Sequence, residues 1–339
     1  MPENLFKIIE PNEVDLNAFV EKSEYPSIFQ TTHMVEVYKS IDGYEPVTLA
    51  VINENNEILS SLVAVKFIEN KFIKSLSKHS TVRGGPIFSQ KDDGIKATEL
   101  LLNEYNNNAK RDALYSRIYP LFNVDKFQNI AILCGYNRED WLNFIIDLQQ
   151  SKEDLWNNLS KHRKKGINRA EKSGIIVEEM KNPNDLPLFY ELLRSTHNKA
   201  KVPLPDFNFF KSVYQILGKK KYARFYFVRY NNKAIAARLI LTYCSNIYDW
   251  YAGADSNFND KYPSEYLIWN ILIMGHNEGY KTFDFGGAGI PSEEYGVREF
   301  KRKFGGEQVN YGRYTNIHHN FNFKLAMNTY NLINRLRLL

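Results

Sequence analysis

Apolar and polar positions divide the chain into two stretches of mixed α/β pattern. Val47–Glu54 and Ile58–Phe67 are β-rich runs meeting at Asn55-Asn56, which predicts a hairpin. Residues 92–111 follow with Ile95, Leu101, Leu102 and Tyr105 on one helical face. Short strands are predicted at 113–119, 130–134 and 142–148. Ser151 and Asp154 read as a helix start: the hydroxyl caps an amide and the carboxylate suits the N-terminal dipole. That helix is predicted to run to Gly174, and Gly166 is where it can kink. Then the order repeats. Tyr222–Tyr230 and Lys233–Cys244 are β-rich and meet at Asn231-Asn232, with Asn231 standing 176 residues after Asn55. Each hairpin follows a helix-like segment (31–40 and 206–217) and precedes another (92–111 and 263–278). The repeated order implies an internal duplication. Two α/β domains are expected, 1–150 and 151–318, with a helix over 319–339.

Composition narrows the class. At 339 residues, 43% hydrophobic and 24% charged, the chain is an ordinary globular sequence, which excludes wholesale disorder and collagen-like structure. Cys134 and Cys244 are too few for a disulfide framework or a cysteine zinc site. No apolar run reaches the ~18 residues of a membrane span, and the start lacks a basic-then-apolar leader. A cytoplasmic protein is the expectation. The net charge of +5 is unevenly spread: residues 161–172 carry a local +5 and residues 301–339 a local +6. Two basic zones on a mildly acidic body suit anionic ligands at defined places, or are two solvated helix faces. Over 319–339, Leu325, Leu332, Leu336 and Leu339 share one side, with Arg335 and Arg337 near the end. This helix docks onto the second domain or rests peripherally on the inner face of the membrane.

The chemistry concentrates between 247 and 306. No GxxxxGK[ST] and no complete GxGxxG after a strand is present, which disfavours nucleotide-binding loops. A strand carrying Tyr248, Trp250 and Tyr251 ends at Gly253 and Asp255, and Pro263-Ser264 opens a helix that Gly279 closes. Thr282–Phe285 reads as a short buried strand before the flexible Gly286-Gly287-Ala288-Gly289, and residues 293–304 as a charged helix. The elements Gly253–Asp255, Tyr262–Trp269, Gly279–Gly287 and Phe300–Gly305 resemble those of the FemAB-type aminoacyltransferases and related acetyltransferase-like domains of the GNAT superfamily. Phe29-Gln30-Thr31, Arg83-Gly84-Gly85-Pro86 and the basic run Trp156–Gly174 resemble further marks of that family. The resemblance spans nearly the whole chain. It implies two tandem GNAT-like domains, each a mixed, strongly twisted sheet flanked by helices.

The resemblance also implies an N-acyltransferase. Its donor would be acyl-CoA or an aminoacyl-tRNA, used as co-substrate with no tightly bound cofactor. Its acceptor would be an amine of a cell-envelope sugar or peptide precursor. Such transfer proceeds by positioning and oxyanion stabilisation without a covalent intermediate, in keeping with the lack of GxSxG or a Cys–His arrangement. The resemblance places Lys301 beside the reacting ester, where an ammonium stabilises developing negative charge. Asp284, between Phe283 and Phe285, is a general base or a structural acceptor for the glycine-rich turn. Arg163, Lys164 and Arg169 are candidates for binding the phosphates of a tRNA or coenzyme A, and Tyr251 and Glu265 for lining the pocket. The seven histidines show no metal-ligand spacing, so no metal is expected. Members that modify peptidoglycan precursors usually have Trp, then Lys, after the Gln-Ser element. Here Met34 and Tyr38 stand there, with Lys39 one place later, and 196–203 departs from the family's basic stretch. A FemX-type, tRNA-dependent builder of peptidoglycan interpeptide bridges is one alternative. A non-catalytic module binding an anionic glycan or RNA is another.

Overall fold

The computed structural model describes residues 6–68, 78–122, 125–326 and 328. Fifteen strands are described: β1 (Lys7–Ile9), β2 (Tyr44–Ile52), β3 (Ile58–Ile68), β4 (Lys78–Arg83), β5 (Ile87–Phe88), β6 (Tyr115–Tyr119), β7 (Asn137–Glu139), β8 (Leu142–Asp147), β9 (Ile176–Glu179), β10 (Ala223–Tyr230), β11 (Lys233–Tyr243), β12 (Asn246–Ala254), β13 (Thr282–Gly287), β14 (Glu307–Asn310) and β15 (Arg313–Ile317). They form two units. Met1–Asp140 with Tyr311–Leu339 makes the first, and Trp141–Asn310 the second.

The first unit holds the sheet β1-β2-β3-β4-β6-β15-β7, with β5 on β3. The second holds β14-β8-β13-β12-β11-β10-β9. Each sheet has one parallel pair, β4 with β6 and β12 with β13, in an otherwise antiparallel ladder. A parallel pair needs a long crossover. The helices Asp92–Ala109 and Pro263–Asn277 supply it, one in each unit. The two Asn turns are also real counterparts: Asn56, Asn231 and Asn232 all take positive φ, which Asn tolerates better than most residues. Leu101, Leu102 and Tyr105 of the first crossover bury against Val51, Leu62 and Phe127. Leu267, Ile268 and Ile271 of the second bury against Ile240, Ile247 and Phe283. Burial of each such side chain contributes about 1.5–3 kcal/mol.

Five expectations change. The boundary falls at 140/141 rather than 150/151, because Leu142–Asp147 pairs with β13 and β14 of the second sheet. Residues 313–317 lie in the first sheet, because β15 pairs with β6 and β7. Residues 130–134 are not a strand: the helix Asp125–Leu133 buries Phe127, Ile130 and Ala131 at helical spacing. The helix from Ser151 breaks at Leu159-Ser160, not at Gly166. Ser160 caps the second piece, Lys161–Lys172, by accepting from the Arg163 amide. Gly166 instead lies under the Tyr262 ring, where a Cβ would come within 2.9 Å. The charged helix expected over 293–304 is confined to Gly296–Arg302. Of 319–339, a helix is described from Asn320 to Ala326, with Phe321 and Leu325 exposed. Leu332, Arg335, Leu336, Arg337 and Leu339 lie outside the described residues. Among the described residues no helix is long and apolar enough to cross a membrane.

Candidate active site

The site forms where β12 and β13 part. Their parallel pairing covers Asn246↔Thr282, Ile247↔Phe283 and Tyr248↔Asp284 and goes no further. On its other side β12 pairs with β11 through a bulge: Ile240 faces Asp249, Leu239 faces Tyr251, and the register skips Trp250. A bulge bends a strand and re-aims its side chains. The helix Leu186–Ala200 lies close on β12, so close that a Cβ at Gly253 would stand 2.4 Å from the Leu192 carbonyl oxygen. Thr196 stitches the two: its Oγ1 accepts from the Ala254 amide at 2.8 Å and donates to the Ala254 carbonyl at 3.3 Å.

A cavity of about 510 Å³ opens between these elements. Asp249–Ala252 of β12, Arg238 of β11 and Phe285 of β13 contribute to it. Thr196, His197 and Ala200 line one side, and Tyr295–Val297, Phe300 and Lys301 another; Ser264 and Val202 complete it. Val202, Tyr295 and Val297 are exposed apolar residues. A second groove of similar volume, lined by Lys152, Glu153, Trp156 and Trp269, is more open and brings no buried polar group to its wall.

Lys301 stands on the cavity wall with its ammonium turned into the glycine-rich turn. Nζ donates to the carbonyls of Phe285 (2.6 Å), Gly286 (3.2 Å) and Gly287 (2.9 Å). Burial pulls its pKa down to about 8, against the pull of Asp249 and Asp284. Three carbonyl acceptors match the three protons of an ammonium and leave no place for the lone pair of a neutral amine. Asp284 is buried behind the wall and does not line the cavity. Its Oδ1 accepts from Asn143 Nδ2 (2.7 Å) and from the Gly286 amide (2.6 Å), which fixes the turn at positive φ. Burial pushes its pKa up to about 6, with those hydrogen bonds and Lys301 opposing. Arg298 braces the same loop from below, donating to the carbonyls of Ala288, Ile290 and Pro291.

On the cavity wall Arg238 and Asp249 form a buried ion pair through Nη1 and Oδ2. Asp249 Oδ1 and Arg238 Nε have no hydrogen-bond partner among the described residues. Neither residue was a sequence candidate. The available signal was a lone arginine inside the apolar strand Lys233–Tyr243, a position that requires an acidic partner.

The sequence candidates separate into groups. Lys301 and Tyr251 reach the cavity, where Tyr251 packs among His197, Phe209, Phe210 and Trp250. Arg163 and Glu265 do not. The Arg163 guanidinium is only 3% exposed; it pairs with Glu265 at 2.5 Å and donates to the Phe300 carbonyl at 2.9 Å. It also lies over the rings of Phe300 (4.1 Å) and Phe304 (4.6 Å). Arg163 thus lies buried in packing between helices and Glu265 pairs with it off the cavity lining, while its neighbour Ser264 lines the cavity. Lys164 donates to the Asn157 carbonyl at 3.1 Å, and the exposed Arg169 reaches the Tyr262 hydroxyl at 3.4 Å. Among the described residues no group of three or more His, Cys, Asp or Glu could hold a metal ion.

Residues 157–302, which include this cavity, match the acetyltransferase (GNAT) domain family. Among solved structures, FemX aligns over 94% of this chain and 99% of its own, with a TM-score of 0.74 at 16% identity. A tandem GNAT protein from the clavulanic acid biosynthesis pathway aligns over 92% and 98%, with a TM-score of 0.61 at 8% identity. L-PGS from Bacillus licheniformis aligns over 92% and 93%, with a TM-score of 0.56 at 14% identity. No curated protein matches the sequence. Residues 157–302 thus carry an acetyltransferase (GNAT) domain. More particularly, the chain takes the tandem fold seen in FemX and in the tandem GNAT protein, with the matched domain in its second unit.

Proposed function

We propose that the protein is an N-acyltransferase that moves an acyl or aminoacyl group from an activated carrier, acyl-CoA or an aminoacyl-tRNA, to an amine of a cell-envelope sugar or peptide precursor. One observation carries the reading. In a matched GNAT domain, at the gap between β12 and β13, a lysine ammonium is held against the cavity by three carbonyls of a glycine-rich turn. The amine nitrogen forms the new C–N bond to the carbonyl carbon. The C–S or C–O bond to the carrier breaks, and the departing sulfur or oxygen takes the proton that the amine gives up. Negative charge develops on the carbonyl oxygen between these events. Lys301 supplies positive charge beside that oxygen while its protons stay on the turn, so it acts by field and by shaping the wall. Asp284 holds the turn rather than meeting substrate. The exposed Arg169, with the half-buried Lys164, is assigned to the phosphates that either donor carries. Envelope chemistry is drawn from the likeness in fold to FemX and to L-PGS.

The test is a donor panel. Purified protein is given acetyl-CoA or a charged tRNA, with and without an amine acceptor, and free thiol or deacylated tRNA is measured. Amine-dependent release is expected from one donor. Lys301→Ala is expected to lower kcat about 100-fold, with Lys301→Arg recovering part of it. Wild-type kcat in Lys301→Ala removes the lysine from the reaction, and no release from either donor class overturns the enzyme assignment.

A further inference from the structure

We propose that Asp249 is the anchor for the cationic nitrogen of the amine-bearing substrate, its Oδ1 accepting an N–H from the substrate ammonium. This inference rests on the transferase reading and assigns that site a residue and a ligand chemistry. The cavity wall carries the cations of Lys301 and Arg238, with His197 also in the lining. All three protons of Lys301 are taken by carbonyls, and Arg238 Nη1 donates to the other carboxylate oxygen, Oδ2, while Arg238 Nε has no partner among the described residues. Asp249 is the residue left with an accepting atom to spare. Its side chain is 8% exposed, and Oδ1 receives no hydrogen bond among the described residues. A buried carboxylate oxygen without a donor is costly to leave so.

Position argues the same way. Asp249 is the first β12 residue after the ladder to β13 ends, next to the bulge at Trp250. It therefore stands at the mouth of the gap between the strands, on the same wall as the Lys301 ammonium. Arg238 fixes the orientation of the carboxylate, and a substrate ammonium at Oδ1 gives that oxygen the donor it lacks. An anion at this point would leave Oδ1 without a donor.

Binding is separable from transfer. Isothermal titration of the whole chain with n-butylammonium chloride, butan-1-ol and n-butyltrimethylammonium chloride distinguishes an N–H donor from charge alone and from apolar contact. Wild type is expected to prefer n-butylammonium over both others by about tenfold or more. Asp249→Asn is expected to lose that preference. Because Asp249→Asn leaves Arg238 without its partner, the neutral pair Arg238→Met with Asp249→Asn is measured alongside, with circular dichroism to verify the fold; it too is expected to lose the preference. Equal affinity for the three probes in wild type, or a preference that survives in a folded Asp249 variant, overturns the proposal. Turnover keeps the two readings apart. A wild type that discriminates the ammonium but releases no carrier retains the anchor and loses the transferase reading. A transferase whose KM for the amine is unchanged in Asp249→Asn retains the reading and loses the anchor.

Discussion

Asp284 has an acidity that makes a measurable claim about stability. Burial raises its pKa to about 6, whereas an unfolded chain releases the same proton near 4. Between those values the folded protein holds a proton that the unfolded chain has lost. Stability contributed at this site therefore falls as pH rises from about 4 to about 6, and is flat above and below. Two units correspond to at most about 3 kcal/mol. Asp284→Asn keeps an oxygen for Asn143 and the Gly286 amide but cannot ionise. Urea unfolding at pH 4 and pH 6.5 should show the variant gaining on wild type across that interval; a gap that does not move with pH contradicts the assignment. Of the two catalytic candidates visible in the sequence, Lys301 reaches the cavity and Asp284 stands behind it. Asp249 and Arg238 were illegible for a physical reason. They are eleven residues apart on neighbouring strands, and the bulge at Trp250 decides which β12 side chains share a face with Arg238. Alternation alone gives no sign of a one-residue skip.

Arg163 works at the scale of elements. It projects from the helix Lys161–Lys172 to Glu265 on the helix Pro263–Asn277, and to Phe300 on the helix Gly296–Arg302 that carries Lys301. One buried guanidinium thus ties three helices, and its own pKa is lowered by burial against the pull of Glu265. Removing one partner of such a pair leaves the other charge stranded, which costs about 3–5 kcal/mol. Arg163→Met is expected to destabilise by that order in urea and to reduce turnover by loosening the lysine-bearing helix. Adding Glu265→Gln should restore much of the stability. Equal stability of the single and double variants would mean the ion pair is not what holds these helices. The elements themselves were well marked in the sequence: both hairpins, both crossover helices and the Ser151 cap are where spacing and turn residues put them. The basic helix was legible as a helix but not in its division of labour. Its charges read alike in sequence, while tertiary packing takes Arg163 inward and leaves Arg169 exposed.

For the whole molecule, the consequential feature is the order in which the chain visits its two sheets. The second unit is inserted into the first, because the chain returns after Asn310 to place β15 between β6 and β7. A sequence cut by length and pattern puts that return in the second domain, since nothing local in Arg313–Ile317 says which sheet will take it. The return is not peripheral. Tyr314 is 3% exposed and packs its ring 5.1 Å from that of Phe127, inside the first core. Without β15 the sheet would lose an interior strand, β7 would lose the one ladder it has among the described residues, and the neighbouring edge of β6 would lose its pairing partner. No comparable loss falls on the second unit, whose seven strands all lie between Trp141 and Asn310. A chain ending at Asn310 is therefore expected to lose amide protection throughout β6, β7 and the helix Asp125–Leu133, while β10 to β13 keep theirs in hydrogen exchange. Protection retained in β6 and β7 would show that the first unit closes without its last strand. Loss in β10 to β13 as well would show that the two units fold as one cooperative block.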